Sequence, residues 1–285
     1  MQTVTLNNGV VMPMLGYGVF QMEDLDLCER SVSCALETGY RYIDTASAYL
    51  NEEAVGRAIA SSGIAREELF VATKLWIPDT DYKHARPAFE RSLDRLGLDY
   101  VDLYIIHQPY NDVFGAWRAM EELVAEGRIR AIGVDNMTPA RLADFMHFVD
   151  TKPAVNFIEV NVGYQREDER AYMAAHDVIT EAWSPLAHGN ADLLGDTTLV
   201  KIAEAHDKTV AQVTLRWLIQ RGIVPVVKSA NPQRMRENLD VFDFALTDED
   251  MAAIARLDTG RSCFGSRDGV AATEAFLAMA DRLRR

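Results

Sequence analysis

The chain has 285 residues, of which 48% are hydrophobic, and a formal net charge of −14. This composition is typical of a soluble globular protein with a large core, and the length fits one α/β barrel domain over residues 1–285. The acidic balance argues against nucleic acid or an anionic membrane surface as the main partner. It still allows one local basic pocket for a small anion.

The N-terminal residues and the cysteines indicate a cytoplasmic protein. Residues 1–16 lack a charged segment followed by an apolar block, so we predict no signal peptide. No apolar run approaches the ~20 residues of a membrane span. Three cysteines without ligand-like spacing (Cys28, Cys34 and Cys263) are typical of reduced intracellular thiols. Cys28 and Cys34 fall in one predicted helix, where we expect them to be buried.

Short apolar strands alternate with amphipathic helices along the chain. The first segment, TVTLNNGVVMP, differs, because its two short strands flank Asn8-Gly9 and predict a hairpin. Eight strand-like runs follow, over 14–20, 41–46, 69–76, 101–108, 129–136, 154–160, 178–183 and 223–229. The predicted helices between them end at glycines or begin at threonines, namely Gly39, Gly97, Gly127, Thr138, Thr209 and Thr247.

Eight apolar strands, each followed by a helix, predict a parallel sheet covered on both faces. Eight such units in ~250 residues match the size of a (β/α)₈ TIM barrel, with the hairpin closing its bottom. The alternative is an open doubly wound sheet, but no G-x-G-x-x-G motif follows an early strand. In a barrel, the active site lies at the C-terminal ends of the strands.

Charged residues stand at those strand ends. Asp44 ends the second barrel run, Tyr49 follows in its loop, and Lys74 and His107 lie near the ends of the next two runs. Because a buried unpaired charge costs several kcal/mol, we expect Asp44 to pair with Lys74. The ammonium would lower the pKa of Tyr49, so that the phenol can exchange a proton near neutrality. His107 would hydrogen-bond the carbonyl oxygen of a substrate.

The last strand-like run ends in VKSANPQRMREN, which places cations beside the start of a helix. The loops after the last two barrel strands are the usual phosphate site of this fold. Lys228, Ser229 and Arg234 suit a ribose 2′-phosphate, which favours NADP over NAD. At the end of the preceding run, Trp183 could stack on a flat ring, and residues 184–189 could approach a pyrophosphate.

These residues carry a resemblance that spans nearly the whole chain. The segments similar to the aldo-keto reductase family are GYRYIDTASAYLNEEAVG, VATKLW, IIHQP, AWSPLAHG and VKSANPQRMRENLDVFDFALTDEDM. Among its members, the chain most resembles the bacterial 2,5-diketo-D-gluconate reductase-like branch. The resemblance implies NADPH-dependent reduction of aldehydes or ketones (small carbonyls, dicarbonyls or keto-sugars) to alcohols. It implies Tyr49 as proton donor, tuned by Asp44 and Lys74, with His107 orienting the carbonyl.

The resemblance also implies which residues bind cofactor and substrate. Asn136 would hold the nicotinamide carboxamide, Trp183 would stack on its ring, and Ser184 and Leu186 would line the pyrophosphate. The residues implied for the 2′-phosphate and the adenine are Lys228, Ser229, Arg234, Glu237 and Asn238. The implied substrate walls are Phe20 and Trp76.

Two positions depart from the family pattern. Asp135 precedes Asn136 where the family usually has serine, and Phe157 replaces a glutamine that usually contacts the carboxamide. An acidic side chain beside the nicotinamide would favour its oxidised, cationic ring. We therefore hypothesise that cofactor binding is weaker than usual or biased towards NADP⁺.

Two other function classes compete with a reductase. One is a non-catalytic, nicotinamide-binding regulatory subunit of the same fold, which the complete set of Tyr49, Lys74 and His107 argues against. The other is a metal-dependent hydrolase or isomerase, but no carboxylate or histidine set completes a site around Asp44 and His107, so we expect no metal. We expect a small carbonyl substrate and a monomer, with a dimer as the alternative. Residues 273–285 predict an amphipathic helix that packs on the barrel or on a partner.

Overall fold

The computed structural model describes residues 1–265 and 269–282. Eight strands form a closed parallel barrel in chain order, with the last strand pairing to the first. The two strands before the barrel are β1 (Thr3–Thr5) and β2 (Val11–Pro13). The barrel strands are β3 (Gly16–Gly18), β4 (Tyr42–Asp44), β5 (Phe70–Leu75), β6 (Val101–Ile106), β7 (Ile129–Asp135), β8 (Val155–Glu159), β9 (Ile179–Trp183) and β10 (Val224–Val227).

The helices lie between and after the barrel strands. They are α1 (Leu25–Thr38), α2 (Glu52–Ser61), α3 (Tyr82–Leu96), α4 (Val113–Ala125), α5 (Pro139–Phe148), α6 (Glu167–Ala174), α7 (Ala191–Leu194), α8 (Thr197–Ala205), α9 (Val210–Gln220), α10 (Pro232–Leu239), α11 (Asp248–Ala255) and α12 (Val270–Arg282). No helix within the described residues combines the length and apolar character needed to cross a bilayer.

The predicted (β/α)₈ barrel is confirmed, and each of the eight strand-like runs contains one barrel strand. The first two barrel strands, β3 and β4, each span 3 residues and are therefore shorter than the apolar runs that predicted them. The predicted helix ends are also correct. Gly39 has φ +116° and donates to the carbonyls of Ala35 and Leu36, which closes α1. Thr209 and Thr247 each begin a helix with a capping box.

The N-terminal hairpin closes the bottom of the barrel as predicted. β1 and β2 pair in antiparallel register, and Gly9 takes φ +87° in the connection between them. The side chains of Asn7 and Asn8 donate to the carbonyls of Pro153 and Arg130, near the starts of β8 and β7. Since strand starts mark the N-terminal face of a barrel, the opposite face is left open for a site.

The C-terminal helix, α12, packs on the barrel, which is one of the two arrangements predicted for residues 273–285; residues 283–285 lie outside the described part of the chain. Ala280 of α12 joins a small buried cluster with Trp76 and Ile77. The ring of Phe276 lies 6.2 Å from that of Tyr110. The helix therefore covers the loops that follow β5 and β6. The cysteine expectation was correct for Cys28, which is buried, but Cys34 is only half-buried.

Candidate active site

A buried ion pair lies at the C-terminal end of the barrel. Asp44 is the last residue of β4, and Lys74 lies on the neighbouring strand β5. Lys74 Nζ is 2.6 Å from both Asp44 Oδ1 and Oδ2, and it also donates to the carbonyl of Thr45 at 2.9 Å. The Lys74 side chain is fully buried. The predicted Asp44–Lys74 pairing is therefore present in the structure.

Tyr49 lies directly beside this pair. It ends a short 3₁₀ turn, Ser47–Tyr49, and the next residue, Leu50, takes a left-handed φ of +57° that reverses the chain. Ser47 Oγ donates to the carbonyl of Lys74 at 2.9 Å, which ties the turn to β5. Lys74 Nζ is 5.2 Å from the centre of the Tyr49 ring, and the charge of Lys74 lowers the pKa of Tyr49.

Asn51 holds the loops that follow β3 and β4 together. Its side chain is fully buried, accepts from Thr45 Oγ1, and donates to the carbonyls of Val19 and Met22. Asn51 directly precedes α2, but its side chain makes no capping hydrogen bond. The residue therefore serves tertiary structure, and it clamps the backbone on both sides of Phe20.

His107 and three aromatic rings line the space above the ion pair. The His107 ring centre lies 5.4 Å from that of Tyr49 and 5.0 Å from that of Trp76. The Phe20 ring lies 5.1 Å from Tyr49 on its other side. Phe20 is 52% exposed, whereas Trp76 is buried. The structure thus brings Phe20, Trp76 and the four predicted catalytic residues to one end of the barrel.

Burial and the charges of neighbouring groups shift the pKa values of Tyr49 and Lys74 in opposite directions. Burial raises the pKa of Tyr49, and Lys74 lowers it, but the net pKa lies above the ordinary value of a phenol. Our expectation of a phenol acidic near neutrality is therefore wrong for the unliganded chain, because burial outweighs the ammonium. Burial lowers the pKa of Lys74, but Asp44 and Tyr49 raise it above its ordinary value. Lys74 thus stays charged, and Tyr49 keeps its proton.

The two departures from the family pattern lie around the same groups. Asp135 is buried at the end of β7, and its Oδ2 lies 4.0 Å from His107 Nε2. The charge of Asp135 also raises the pKa of Tyr49. The Phe157 ring centre lies 5.1 Å from Lys74 Nζ, where it makes a cation–π contact. Both positions therefore face the predicted catalytic residues.

Asn136 and Trp183 contact each other beside this site. Trp183 Nε1 donates to Asn136 Oδ1 at 3.1 Å, and Asn136 takes a left-handed φ of +56°. After Trp183, the chain carries positive φ at Ser184, Ala187, His188 and Gly189. Ser184 Oγ is buried without a hydrogen-bond partner among the described residues. A buried hydroxyl in such a loop fits a phosphate ligand, because that ligand would satisfy it.

The loop after β10 leads into α10, which begins at Asn231-Pro232. Asn231 Oδ1 accepts from the backbone N–H groups of Gln233 and Arg234, and Ser229 Oγ accepts from Asn231 N at 3.0 Å. Lys228 and Arg234 are exposed, and Ser229 is half-buried. Two cations at a helix N-terminus are a chemically suitable cradle for a phosphate. Glu237 accepts from Gln233 Nε2, and Asn238 is buried.

Sequence reasoning missed the carboxylate that holds a C-terminal loop over this region. Glu159, at the end of β8, accepts from Ser262 Oγ and from the backbone N–H of Cys263. The next residue, Phe264, places its ring 5.2 Å from that of Trp183. No sequence signal links Glu159 to a loop about a hundred residues later. A second missed group, Glu181, lies in the middle of β9 inside the barrel.

The geometry does not resemble a metal centre. Both oxygens of Asp44 are engaged by Lys74. Among residues 1–265 and 269–282, no group of three or more His, Cys, Asp or Glu side chains could hold a metal ion.

Comparisons with known proteins agree with this geometry. Residues 15–259 match the model of the Aldo/keto reductase family. The chain is 47% identical to a glyoxal reductase of Bacillus subtilis (strain 168) over 257 residues, which is 90% of this chain and 92% of that protein. It also resembles the crystal structure of MGS-M4, an aldo-keto reductase from a Medee basin deep-sea metagenome library, with a TM-score of 0.91 and 44% identity. This match covers 94% of the present chain and 99% of MGS-M4.

A third similarity includes a cofactor complex. An aldo-keto reductase of the silkworm, Bombyx mori, solved in complex with NADP, gives a TM-score of 0.87 at 34% identity, with coverage of 94% of this chain and 96% of that one. The match extends over the barrel that brings Asp44, Tyr49, Lys74 and His107 together. By its fold, by the extent of these matches and by its resemblance in sequence, this chain belongs to the aldo/keto reductase family.

Proposed function

We propose that this protein is an NADPH-dependent oxidoreductase that reduces aldehydes or ketones to alcohols, with Tyr49 as the proton donor. One observation carries the proposal. Tyr49 lies beside a fully buried lysine whose Nζ is 5.2 Å from the centre of the phenol ring, and Asp44 holds that lysine at 2.6 Å. A phenol fixed beside a permanent positive charge can protonate an oxygen as negative charge develops on it.

Each residue of the site has one task in this reaction. Tyr49 donates its proton to the carbonyl oxygen as that oxygen becomes an alkoxide. Lys74 stabilises the resulting phenolate, and Asp44 keeps Lys74 charged and oriented. His107, whose ring lies 5.4 Å from that of Tyr49, hydrogen-bonds the same oxygen and orients the carbonyl.

The chain offers a continuous set of groups for NADPH, which supplies the hydride when bound. Asn136 and Trp183 would hold the nicotinamide, and Ser184 and Leu186 would line the pyrophosphate. Ser184 supports this assignment, because its buried hydroxyl lacks a partner among the described residues. The residues for the 2′-phosphate and adenine would be Lys228, Ser229, Arg234, Glu237 and Asn238.

The walls of the site favour small substrates. Phe20 and Trp76 flank Tyr49 and His107 with aromatic surface, which suits aldehydes and small dicarbonyls, and the family resemblance adds keto-sugars. The relative from Bacillus subtilis is named for glyoxal, the simplest dicarbonyl. The non-catalytic alternative is disfavoured, because a regulatory subunit would not need a buried Asp44–Lys74 pair behind a tyrosine.

A screen of NADPH oxidation tests the proposal. The purified chain would be assayed with aldehydes, diketones, keto-sugars and 2-oxo acids, with NADH in parallel, and each reaction would be run with and without a chelator. We expect turnover of at least one carbonyl class that persists with chelator. NADPH binding without turnover of any class would favour the regulatory subunit, and activity abolished by chelator would favour a metal enzyme.

The cofactor preference can be tested at α10. We expect Arg234→Ala to weaken NADPH binding about 10- to 100-fold, because a charge-assisted hydrogen bond contributes about 1.5–3 kcal/mol. NADH binding should hardly change, since NADH carries no 2′-phosphate. Dissociation constants from quenching of tryptophan fluorescence would measure both. Arg236→Ala is the matched control, because residues two apart on a helix do not face each other. Equal losses for the two cofactors would contradict this role.

A further inference from the structure

Glu181 is a buried acid that the roles above do not use. It lies in the middle of β9, between Phe157 of β8 and Val224 of β10, and it is fully buried. The hydroxyl of Tyr42, on the far strand β4, donates a short hydrogen bond to Glu181 Oε1. Glu181 Oε2 is also buried and has no hydrogen-bond partner among the described residues. A buried carboxyl group in which only one of the two oxygens is hydrogen-bonded calls for an explanation.

Tyr42 reaches Glu181 because the first barrel strand leaves space for its ring. A Cβ atom added at Gly16 would lie 2.7 Å from two carbons of the Tyr42 ring. Glycine at this position therefore lets the ring cross the interior of the barrel. Phe70 supports it from β5 with its ring centre 5.0 Å away. The hydrogen bond thus joins β4 to β9 across the barrel.

The charged neighbours of Glu181 are the catalytic groups. Asp44 lies two residues after Tyr42 on β4, so both side chains point to the same face of the strand. Asp44, Lys74 and Asp135, from β4, β5 and β7, each act on Glu181 through their charges. Glu181 acts in turn on Lys74. The charge of Glu181 therefore acts on the ammonium that lies beside the Tyr49 ring.

We propose that Glu181, held by Tyr42, is a positioning residue of the proposed reductase site, which is active when Glu181 is neutral and attenuated when Glu181 ionises. This inference rests on the function proposed above. A neutral Glu181 leaves the charge of Lys74 available to a phenolate at Tyr49. An ionised Glu181 competes for that positive charge, so that the phenolate is stabilised less and Tyr49 becomes a weaker proton donor.

The ionisation falls in an accessible pH range. Burial, Asp44 and Asp135 raise the pKa of Glu181, Tyr42 and Lys74 lower it, and the net result is a pKa raised to about 8. The group is therefore neutral below about pH 8 and charged above it. Because proton donation by Tyr49 weakens when Glu181 is charged, the rate of reduction should fall as the pH rises through that value.

Two variants separate this role from a purely structural one. Wild-type kcat/KM for reduction should fall about threefold or more across an inflection near pH 8. In Glu181→Gln, which is neutral at every pH, that inflection should disappear. In Tyr42→Phe, the loss of the hydrogen bond that lowers the pKa of Glu181 should move the inflection to higher pH. A structural role would lower activity by the same factor at all pH values.

A direct measurement accompanies the kinetics. ¹³C NMR of carboxyl-labelled glutamate in the unliganded protein should show one signal that titrates near pH 8 and is missing in Glu181→Gln. Glu52→Gln is the matched control, since Glu52 is buried but bonds to Thr73 and Arg95 instead of the catalytic groups. This control should keep the wild-type pH profile.

The possible outcomes are distinct. A wild-type inflection that persists unchanged in Glu181→Gln, or a Glu181 signal that titrates below pH 6, would overturn the inference while the reductase function stands. A wild-type protein without turnover on any carbonyl would overturn the proposed function and this inference with it. If Glu181→Gln does not fold, Tyr42→Phe decides, and an inflection that stays at the wild-type pH counts against the proposal.

Discussion

Tyr49→Phe should lower kcat for carbonyl reduction by about 10²- to 10⁴-fold, the usual contribution of a general acid. The variant lacks only the hydroxyl. It therefore has no phenol whose conjugate base Lys74 could stabilise after proton transfer to the carbonyl oxygen. The ring should keep its place, because its contacts with Phe20 and His107 are ring contacts. NADPH affinity and thermal stability should therefore stay close to the wild-type values.

A surface tyrosine provides the control for this experiment. Tyr82 is half exposed, and its hydroxyl donates to Glu122 on the outside of the barrel. Tyr82→Phe should retain full activity. Steady-state rates, NADPH titrations and melting temperatures would be measured for both variants. Undiminished turnover in Tyr49→Phe would remove Tyr49 as the proton donor.

Lys74→Met should damage both stability and activity, because it leaves the carboxylate of Asp44 buried without its counterion. Breaking a buried pair from one side costs about 3–5 kcal/mol. Tyr49 would also lose the group that lowers its pKa, so we expect kcat/KM to fall by about 10²-fold or more. Urea unfolding would give the stability, and the reductase assay would give the activity.

The double variant Asp44→Asn/Lys74→Met separates the two effects. It removes both charges, so much of the lost stability should return, since a neutral pair avoids the desolvation penalty of an isolated charge. Activity should stay low, because the ammonium is still missing. A double variant that is no more stable than Lys74→Met would show that the Asp44 charge does not cause the instability. Recovery of activity in the double variant would contradict the role of Lys74.

The barrel and the core of the site were predictable from the sequence for a physical reason. Apolar strands that end in Asp44, Lys74 and His107 are costly unless the charges meet, and a parallel barrel brings consecutive strand ends together. The cations beside α10 predict a phosphate site for a related reason, because phosphate sites form at helix starts, and this assignment stays a prediction. The end of α1 at Gly39 and the start of α9 at Thr209 were predictable from the local capping preferences of glycine and threonine.

The features that could not be predicted depend on how deeply a side chain is buried and on contacts between residues far apart in the sequence. The net pKa of Tyr49 depends on how deeply its side chain is buried, and no local sequence pattern encodes this burial. Tyr42 and Glu181 are 139 residues apart and meet only because the sheet closes on itself. The contact of Phe264 with Trp183 likewise requires the C-terminal loop to fold back over β8 and β9. Sequence patterns report local periodicity, and these contacts arise from closure of the barrel.

The Asn51 clamp has a consequence for how this protein can change. Its hydrogen bonds to Val19 and Met22 fix the backbone around Phe20, and its bond with Thr45 fixes the strand end that precedes Tyr49. The Phe20 side chain projects from this frame and is 52% exposed. We therefore expect that its size can be altered without moving the backbone that carries Tyr49. In the proposed reductase, substrate choice and chemistry would thus rest on different residues, and we expect mutation at position 20 to widen or narrow the range of accepted carbonyls while the reaction itself is preserved.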